Sequence, residues 1–204
     1  MRTSQWEKKY KEHAHHQQFD KQGKGFLDSF ASLLPAGSRI LDIGCGDGRK
    51  AAYLLEKGYD VFGIDSSRTA IAHAKKISQQ RFRVADATRL PFAANSFDAV
   101  LSLAVYHCLS AHERRKFVEE VRRVLRRGGI IYQLVLSSKD STIRRGSMAG
   151  NKTYVQPSGV AIRPFTKTEL KKDFRCFKLL KMQHRQRRLN GKNNAIFVMT
   201  MKKV

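Results

Sequence analysis

The stretch Arg39-Ile40-Leu41-Asp42-Ile43-Gly44-Cys45-Gly46-Asp47-Gly48 leaves this chain few folds to adopt. Five strand-forming residues run into three alternating glycines, and Lys50 to Lys57 then reads as a helix that Gly58 stops. Asp60 to Ile64 is a second strand, closed by Asp65, which stands 17 residues after Gly48. Strand, glycine turn, helix and a second strand ending in an acid, in that order, form a βαβ unit that cradles a nucleotide. The glycines let the chain turn sharply and let a ligand approach the backbone. The acid on the second strand can accept hydrogen bonds from two ribose hydroxyls.

The alternation continues. Ser67 to Ser78 is helical, with Ala70, Ile71, Ala74 and Ile77 at three- and four-residue spacing. Arg81 to Ala85 and Phe97 to Leu103 are strands, Ala111 to Arg126 is an amphipathic helix, and Gly129 to Leu136 is a fifth strand, with Gly128-Gly129 as the helix stop. Beyond Ser137 the rhythm breaks into a Ser-, Gly- and base-rich segment too long for a simple connection, hence a lid or insertion. A short helix, Thr166 to Asp173, precedes two strands, Cys176 to Gln183 and Ala195 to Met201, joined through Asn190-Gly191 as an antiparallel hairpin. The expected fold class is α/β: a Rossmann-like, doubly wound, seven-stranded sheet, mostly parallel, with an antiparallel C-terminal hairpin. We expect one domain over residues 1–204. It comprises N-terminal helices (1–37, near Gln5 to Gln18 and Phe26 to Leu34), a ligand-binding core (38–136), a basic lid (137–165), and a final helix with the hairpin (166–204).

Composition narrows the class further. A chain of 204 residues with 41% hydrophobic content buries roughly 70% of the surface it exposes when unfolded, so it needs no covalent staple. Cys45, Cys108 and Cys176 are odd in number and share no C-x-x-C spacing, which argues against a disulfide framework or zinc knuckle and for a reducing cytoplasm. No signal-type apolar segment opens the sequence and no run of about 18 apolar residues occurs, so a soluble, cytoplasmic protein without a membrane span is expected. The formal charge is +23, and it is unevenly placed: residues 1–100 hold 16 bases and 11 acids, residues 101–204 hold 24 and 6. Such a field draws polyanions, nucleic acid first, although general solubility is the alternative reading. His13, His15 and His16 have no nearby cysteine and no clear carboxylate partner, so no metal site is expected.

The segment ILDIGCGDG resembles motif I of the class I S-adenosylmethionine-dependent methyltransferases, in which an acid precedes the first glycine by two residues, as Asp42 does. VADATRLPFAANSFDAVLSLAVYHCL and RRVLRRGGIIY are similar to that family's later strands and loops, so the resemblance covers roughly residues 38–137. It implies S-adenosyl-L-methionine as cofactor. The turn at Gly44, Cys45, Gly46 and Gly48 would line the methionine end, and Asp42 would help hold the amino group there. Asp65 would take the ribose hydroxyls with Ser66 beside the adenine, Asp86 would accept from the adenine amino group, Ala87 would offer a backbone donor, and Leu103 would lie near the sulfonium. Helix capping is the alternative for Asp65 and a turn for Asp86. Trp6-Glu7-Lys8-Lys9-Tyr10 resembles a helix of small methyltransferases whose aromatics close over the cofactor; plain packing of Trp6 and Tyr10 is the other reading. His107 is the candidate general base, or a loop-capping polar residue, and Tyr106 is a pocket wall or core.

Motifs that would name the acceptor are absent. Leu103-Ala104-Val105-Tyr106 stands where N/D-P-P-Y/F would serve exocyclic amines, and Cys108 follows His107 rather than a proline. LLEKGYDVFGID, RPFTKTELKKDF and AIFVMTMKK are similar to the tellurite-resistance (TehB-like) methyltransferases, whereas DAVLSLAVYHCLSAHERR resembles the enzymes that finish wobble uridines in tRNA. The expectation is a methyltransferase whose acceptor is a small molecule or RNA (tRNA or rRNA), with Arg144, Arg145 and Lys152 of the lid binding it. The alternative is a basic nucleic-acid-binding protein on a catalytically idle methyltransferase fold. The oligomeric state stays open.

Overall fold

A computed structural model describes residues 2–12, 21–189 and 192–204, with side chains except at 2–4, 21–23, 144, 145, 189 and 192. Two N-terminal helices, α1 (Arg2–Glu12) and α2 (Lys21–Ala31), precede β1 (Arg39–Ile43), α3 (Arg49–Glu56), β2 (Asp60–Asp65), α4 (Arg68–Ala74), β3 (Phe82–Val84) and β4 (Phe97–Leu103). Then come α5 (Ala111–Val124), β5 (Leu125–Leu136), three two-residue strands β6 (Ser147–Met148), β7 (Tyr154–Val155) and β8 (Ala161–Ile162), α6 (Lys167–Asp173), and the hairpin β9 (Lys178–Leu189) and β10 (Lys192–Lys202). The main sheet runs β3-β2-β1-β4-β5-β10-β9, parallel up to β5 and antiparallel at β10 and β9. This is the doubly wound, mostly parallel sheet expected from the sequence.

β1 is an interior strand flanked by β2 and β4, so its side chains feed both layers: Leu41 and Ile43 pack with Phe117, Val121 and Phe165, while Ile40 packs with Leu27, Phe30 and Leu54. Burying such side chains is worth roughly 1.5–3 kcal/mol each, and this is what holds β1 and its glycine turn rigid. The helices that frame the site start firmly. Ser110 opens α5 and Thr166 opens α6, each through a reciprocal box with a glutamate three residues on, Glu113 and Glu169.

Three elements differ from the sequence reading, each for a physical reason. Helix α5 stops at Val124, two residues early, because Leu125 is already paired with Phe97 in the sheet; Gly128-Gly129 lies inside β5 at an irregularity in its register. The lid is ordered by bonds that carry no periodicity, some local and one to a distant strand. β6, β7 and β8 form a small sheet, and the buried Asp140 accepts from Thr142 N at 2.8 Å and from Ala195 N at 2.7 Å, tying the lid's base to β10. Several bases of α5 are tied into the fold: Arg123 reaches the carbonyls of Phe92 and Leu90, Arg126 pairs with Asp98, and Arg114 donates to Leu109 O. The hairpin strands are also longer than Cys176 to Gln183 and Ala195 to Met201, and the turn at Asn190-Gly191 lies outside the described residues.

Candidate functional site

The C-terminal ends of β1, β2 and β4 meet at the glycine turn. Gly44, Gly46 and Gly48 have φ of 72°, 59° and 83°, a region open to glycine at little cost. At two of them space is also closed: a Cβ on Gly44 would collide with Val105, and one on Gly46 with the hydroxyl of Tyr10. Gly44 N and Cys45 N both donate to Ile64 O, at 2.8 and 2.9 Å, and Gly46 N donates to Asp65 Oδ2 at 3.0 Å. Asp65 Oδ1 accepts from Ser67 N at 2.9 Å, so the carboxylate is held by one N–H on each oxygen. Burial raises its pKa against those two hydrogen bonds.

Asp42 lies beneath this turn, fully buried, and neither carboxylate oxygen has a hydrogen-bond partner among the described residues. Burial pushes its pKa up to about 7, with Lys50 pulling it back. An orphaned buried carboxyl is expensive on its own, and a ligand that brings a cation or N–H donors to this end of the sheet would offset that cost. The residues present therefore fit a ligand with an ammonium group at one end and a ribose at the other.

Gly44, Asp65, Ser66, Asp86, Ala87 and Leu103 line one cleft of about 270 Å³, together with Trp6 and Tyr10 from α1. Lys9, Lys50, Val105, Leu109 and Glu113 line it too, none of them singled out by the sequence motifs. Asp42, Cys45, Gly46 and Gly48 are not on its surface: Asp42 is buried beneath the turn, the Cys45 side chain is in the core, Gly46 N is taken by Asp65, and Gly48 starts α3. Asp86 Oδ1 accepts from Thr88 N and Oγ1 at 2.7 and 2.8 Å, so the turn role and an exposed position at the cleft coexist.

Helix α1 is fastened over the cleft by Glu7. Its carboxylate accepts from Ser67 Oγ at 2.7 Å, Thr69 Oγ1 at 2.5 Å and Thr69 N at 3.3 Å, at the start of α4. The Thr69 and Ser67 hydroxyls hold its pKa down to about 2. This contact joins residues about 60 apart and has no sequence signature.

A second cavity, of about 460 Å³, lies on the other side of Cys108 and Leu109, which line both spaces. His107 and Lys152 are in its wall, and so are Arg114 and Arg163, which the sequence did not mark. His107 is buried, its pKa is pushed down to about 4 by that burial, and its Nδ1 accepts from Leu136 N at 3.3 Å. A neutral ring that accepts at Nδ1 carries its proton on Nε2 and presents a donor there. Tyr106 is in the core and lines neither cavity: it packs against Phe117, Phe165 and Phe174 and donates to Asp173 Oδ2 at 2.8 Å. The side chains of Arg144 and Arg145 lie outside the described residues, as do His13, His15 and His16. Among the described residues no group of three His, Cys, Asp or Glu side chains could hold a metal ion, and no helix is long and apolar enough to cross a membrane.

Residues 41–133 match the family model described as a methyltransferase domain. A tRNA (carboxymethyluridine(34)-5-O)-methyltransferase, alkbh8 of Xenopus tropicalis, is 34% identical over 140 residues, or 67% of this chain, which spans only 22% of that relative's length. The 1,6-didemethyltoxoflavin-N1-methyltransferase of Burkholderia thailandensis, solved with 1,6-didemethyltoxoflavin and S-adenosylhomocysteine, superposes with a TM-score of 0.78 at 20% identity, covering 99% of this chain and 87% of that one. A TehB-like methyltransferase of Corynebacterium glutamicum gives 0.68 at 18% identity, covering 99% and 98%. The chain thus has the fold of the class I S-adenosylmethionine-dependent methyltransferases, the TehB-like one among them, and its residues 41–133 match the methyltransferase-domain family.

Proposed function

We propose that this protein is a methyltransferase that draws its methyl group from S-adenosyl-L-methionine. The observation that carries the reading is the Asp42 carboxyl, buried and unpartnered under a glycine turn whose neighbour Asp65 is fixed by two N–H groups. When bound, the cofactor supplies a sulfonium-borne methyl already activated for in-line displacement. The chain's residues then need only bind, orient and keep water out. Asp42 serves the ammonium end and Asp65 the ribose hydroxyls. Ser66, Asp86 and Ala87 bound the adenine end, Leu103 stands by the sulfonium, and Trp6 and Tyr10 close the cleft from α1. Lys50 limits how far the Asp42 pKa rises.

The acceptor approaches past Leu103 to Leu109. With the His107 ring neutral and arranged as a donor, His107 is not the group that takes a proton from the acceptor. RNA is the reading we favour for it, supported by the excess of bases after residue 100 and by the tRNA-modifying activity named for the Xenopus relative. A small-molecule acceptor is the second reading, favoured by the toxoflavin-pathway structure that covers nearly the whole chain. Cytoplasmic location belongs to the same proposal, supported by three free cysteines.

Calorimetric titration with S-adenosylmethionine tests the core of this proposal: we expect binding by the native protein and a loss of at least about 10²-fold in affinity with Asp65→Ala, the size of a lost pair of charge-assisted hydrogen bonds. RNA binding with no cofactor binding would replace it with an idle fold that only docks nucleic acid. Transfer of labelled methyl into total RNA, compared with the small-molecule fraction, decides between the two acceptors.

A further inference from the structure

The two cavities that share Cys108 and Leu109 differ in charge. The cofactor cleft displays Asp65, Asp86 and Glu113 beside Lys9 and Lys50, whereas the wall of the second cavity carries Arg114, Lys152 and Arg163 and, among the described residues, no carboxylate. The acids that pair with these cations stand outside that lining. Asp173 is 4.0 Å from Arg114 Nε, and Glu169 is 2.7 Å from Arg163 Nη2 and 3.3 Å from Lys152 Nζ. Both acids have other duties, since Asp173 accepts the Tyr106 hydroxyl and Glu169 closes the capping box of α6. Both guanidinium groups lie over the ring of Phe165, at 5.2 and 4.5 Å from its centre, with their side chains only 13% and 17% exposed. They are therefore held still and facing one space, the arrangement in which charge-assisted bonds to an oxyanion are strongest.

The third cation is placed against its backbone's preference. Asn151 and Lys152 have φ of 46° and 59° in a two-residue turn closed by Thr153 N donating to Gly150 O at 2.8 Å. Glycine is the favoured residue at the second position of such a turn, because a Cβ is strained there. A lysine at that point is costly to the fold and adds a positive charge to the cavity. The cavity also reaches Ser110 and Ala111, at the N-terminal end of the fourteen-residue helix α5, where the helix dipole favours negative charge.

We propose that this cavity grips an oxyanion of the acceptor, a phosphate or a carboxylate, while the atom to be methylated reaches past Cys108 and Leu109 into the cofactor cleft. The inference rests on the methyl-transfer reading of that cleft. Arg114 and Arg163 bind the anion from the rigid Phe165 side, and Lys152 closes on it from the β6–β7 turn.

Calorimetry on protein saturated with S-adenosylhomocysteine tests it, with uridine, uridine 5′-monophosphate and 5-carboxymethyluridine as probes. At least one charged probe should bind ten times more tightly than uridine or better; the nucleotide doing so marks a backbone phosphate as the source, and the carboxymethyl nucleoside marks a carboxylate on the base. Lys152→Gly separates ligand binding from folding, because it relieves the strained turn: the melting temperature should hold or rise while affinity for the charged probe falls about five- to tenfold and affinity for uridine stays the same. Arg163→Gln should abolish the charged-probe advantage with S-adenosylhomocysteine affinity unchanged within twofold. Equal binding of charged and uncharged probes by the native protein, or a Lys152→Gly variant that keeps the full charged-probe advantage, overturns the proposal. Failure of S-adenosylhomocysteine to bind at all overturns instead the methyl-transfer reading on which it rests.

Discussion

The first hundred residues and the last seventy solve opposite electrostatic problems within one sheet. In the first region acids do the placing: Asp42, Asp65 and Asp86 line or underlie the cleft, Glu7 fastens α1 above it, and the charge there is 16 bases against 11 acids. From residue 137 onward there are 17 bases and three acids, Asp140, Glu169 and Asp173, and each of the three is engaged within the fold. No carboxylate remains there to neutralise the exposed Lys139, Lys181, Arg185, Arg187 and Arg188. On the function proposed above, the difference assigns the charge excess to recognition of the second substrate, because a cofactor end built from buried acids and N–H groups needs no strong outer field.

If that division is right, salt should act on one half only. We expect RNA affinity to fall by roughly 10³-fold between 50 and 200 mM salt, as several phosphate contacts would require, while S-adenosylhomocysteine affinity changes little. Filter binding and calorimetry in the same buffers measure both, and parallel salt slopes would break the comparison.

The acid side makes its own prediction about pH. Burial raises the Asp42 pKa to about 7, so without ligand the native state binds a proton more tightly than the unfolded chain does. That contribution is fully present below the unfolded carboxyl pKa and is lost as pH rises through about 7. Thermal unfolding of the ligand-free protein should therefore show stability falling by a few kcal/mol from pH 4 to 8 relative to Asp42→Asn, which lacks this group. S-adenosylmethionine, by placing a cation near Asp42, should flatten the difference. A ligand-free protein no more pH-sensitive than the variant would remove Asp42 from the account.

Glu7→Gln gives the smallest effect. The amide keeps one acceptor oxygen but loses the charge that takes three hydrogen bonds, so cofactor affinity should drop about five- to tenfold, or roughly 1 kcal/mol, with kcat nearly unchanged. Stopped-flow dissociation of the cofactor checks it, since a faster off-rate with an unaltered fold sharpens the view that α1 is a fastened cover.

Legibility in the sequence follows the range of the interaction. The β1 turn, Asp65 and the helices α5 and α6 are written in residues close together, because turns and helix periods obey local rules. What stayed hidden depends on distance along the chain. Arg114 and Arg163 are 49 positions apart and come together over the ring of Phe165, and Glu7 meets Ser67 and Thr69 only once α1 has docked. Tyr106 offered two readings, and its neighbours Phe117, Phe165 and Phe174 make it core. Strands β6, β7 and β8, two residues each, are too short to leave a period.

The partition formed by Cys108 and Leu109 acts as a ruler. The Leu109 backbone is pinned to Tyr106 by a hydrogen bond of 3.2 Å, and Tyr106 is itself anchored to α6, so the span between Arg114 and Arg163 and the cofactor cleft is fixed in length. Under the anion grip proposed above, acceptors would be sorted by how many bonds separate their charged group from their reactive atom. Trimming or lengthening the side chain at 109 becomes the single-site route to shifting that calibration toward longer or shorter molecules.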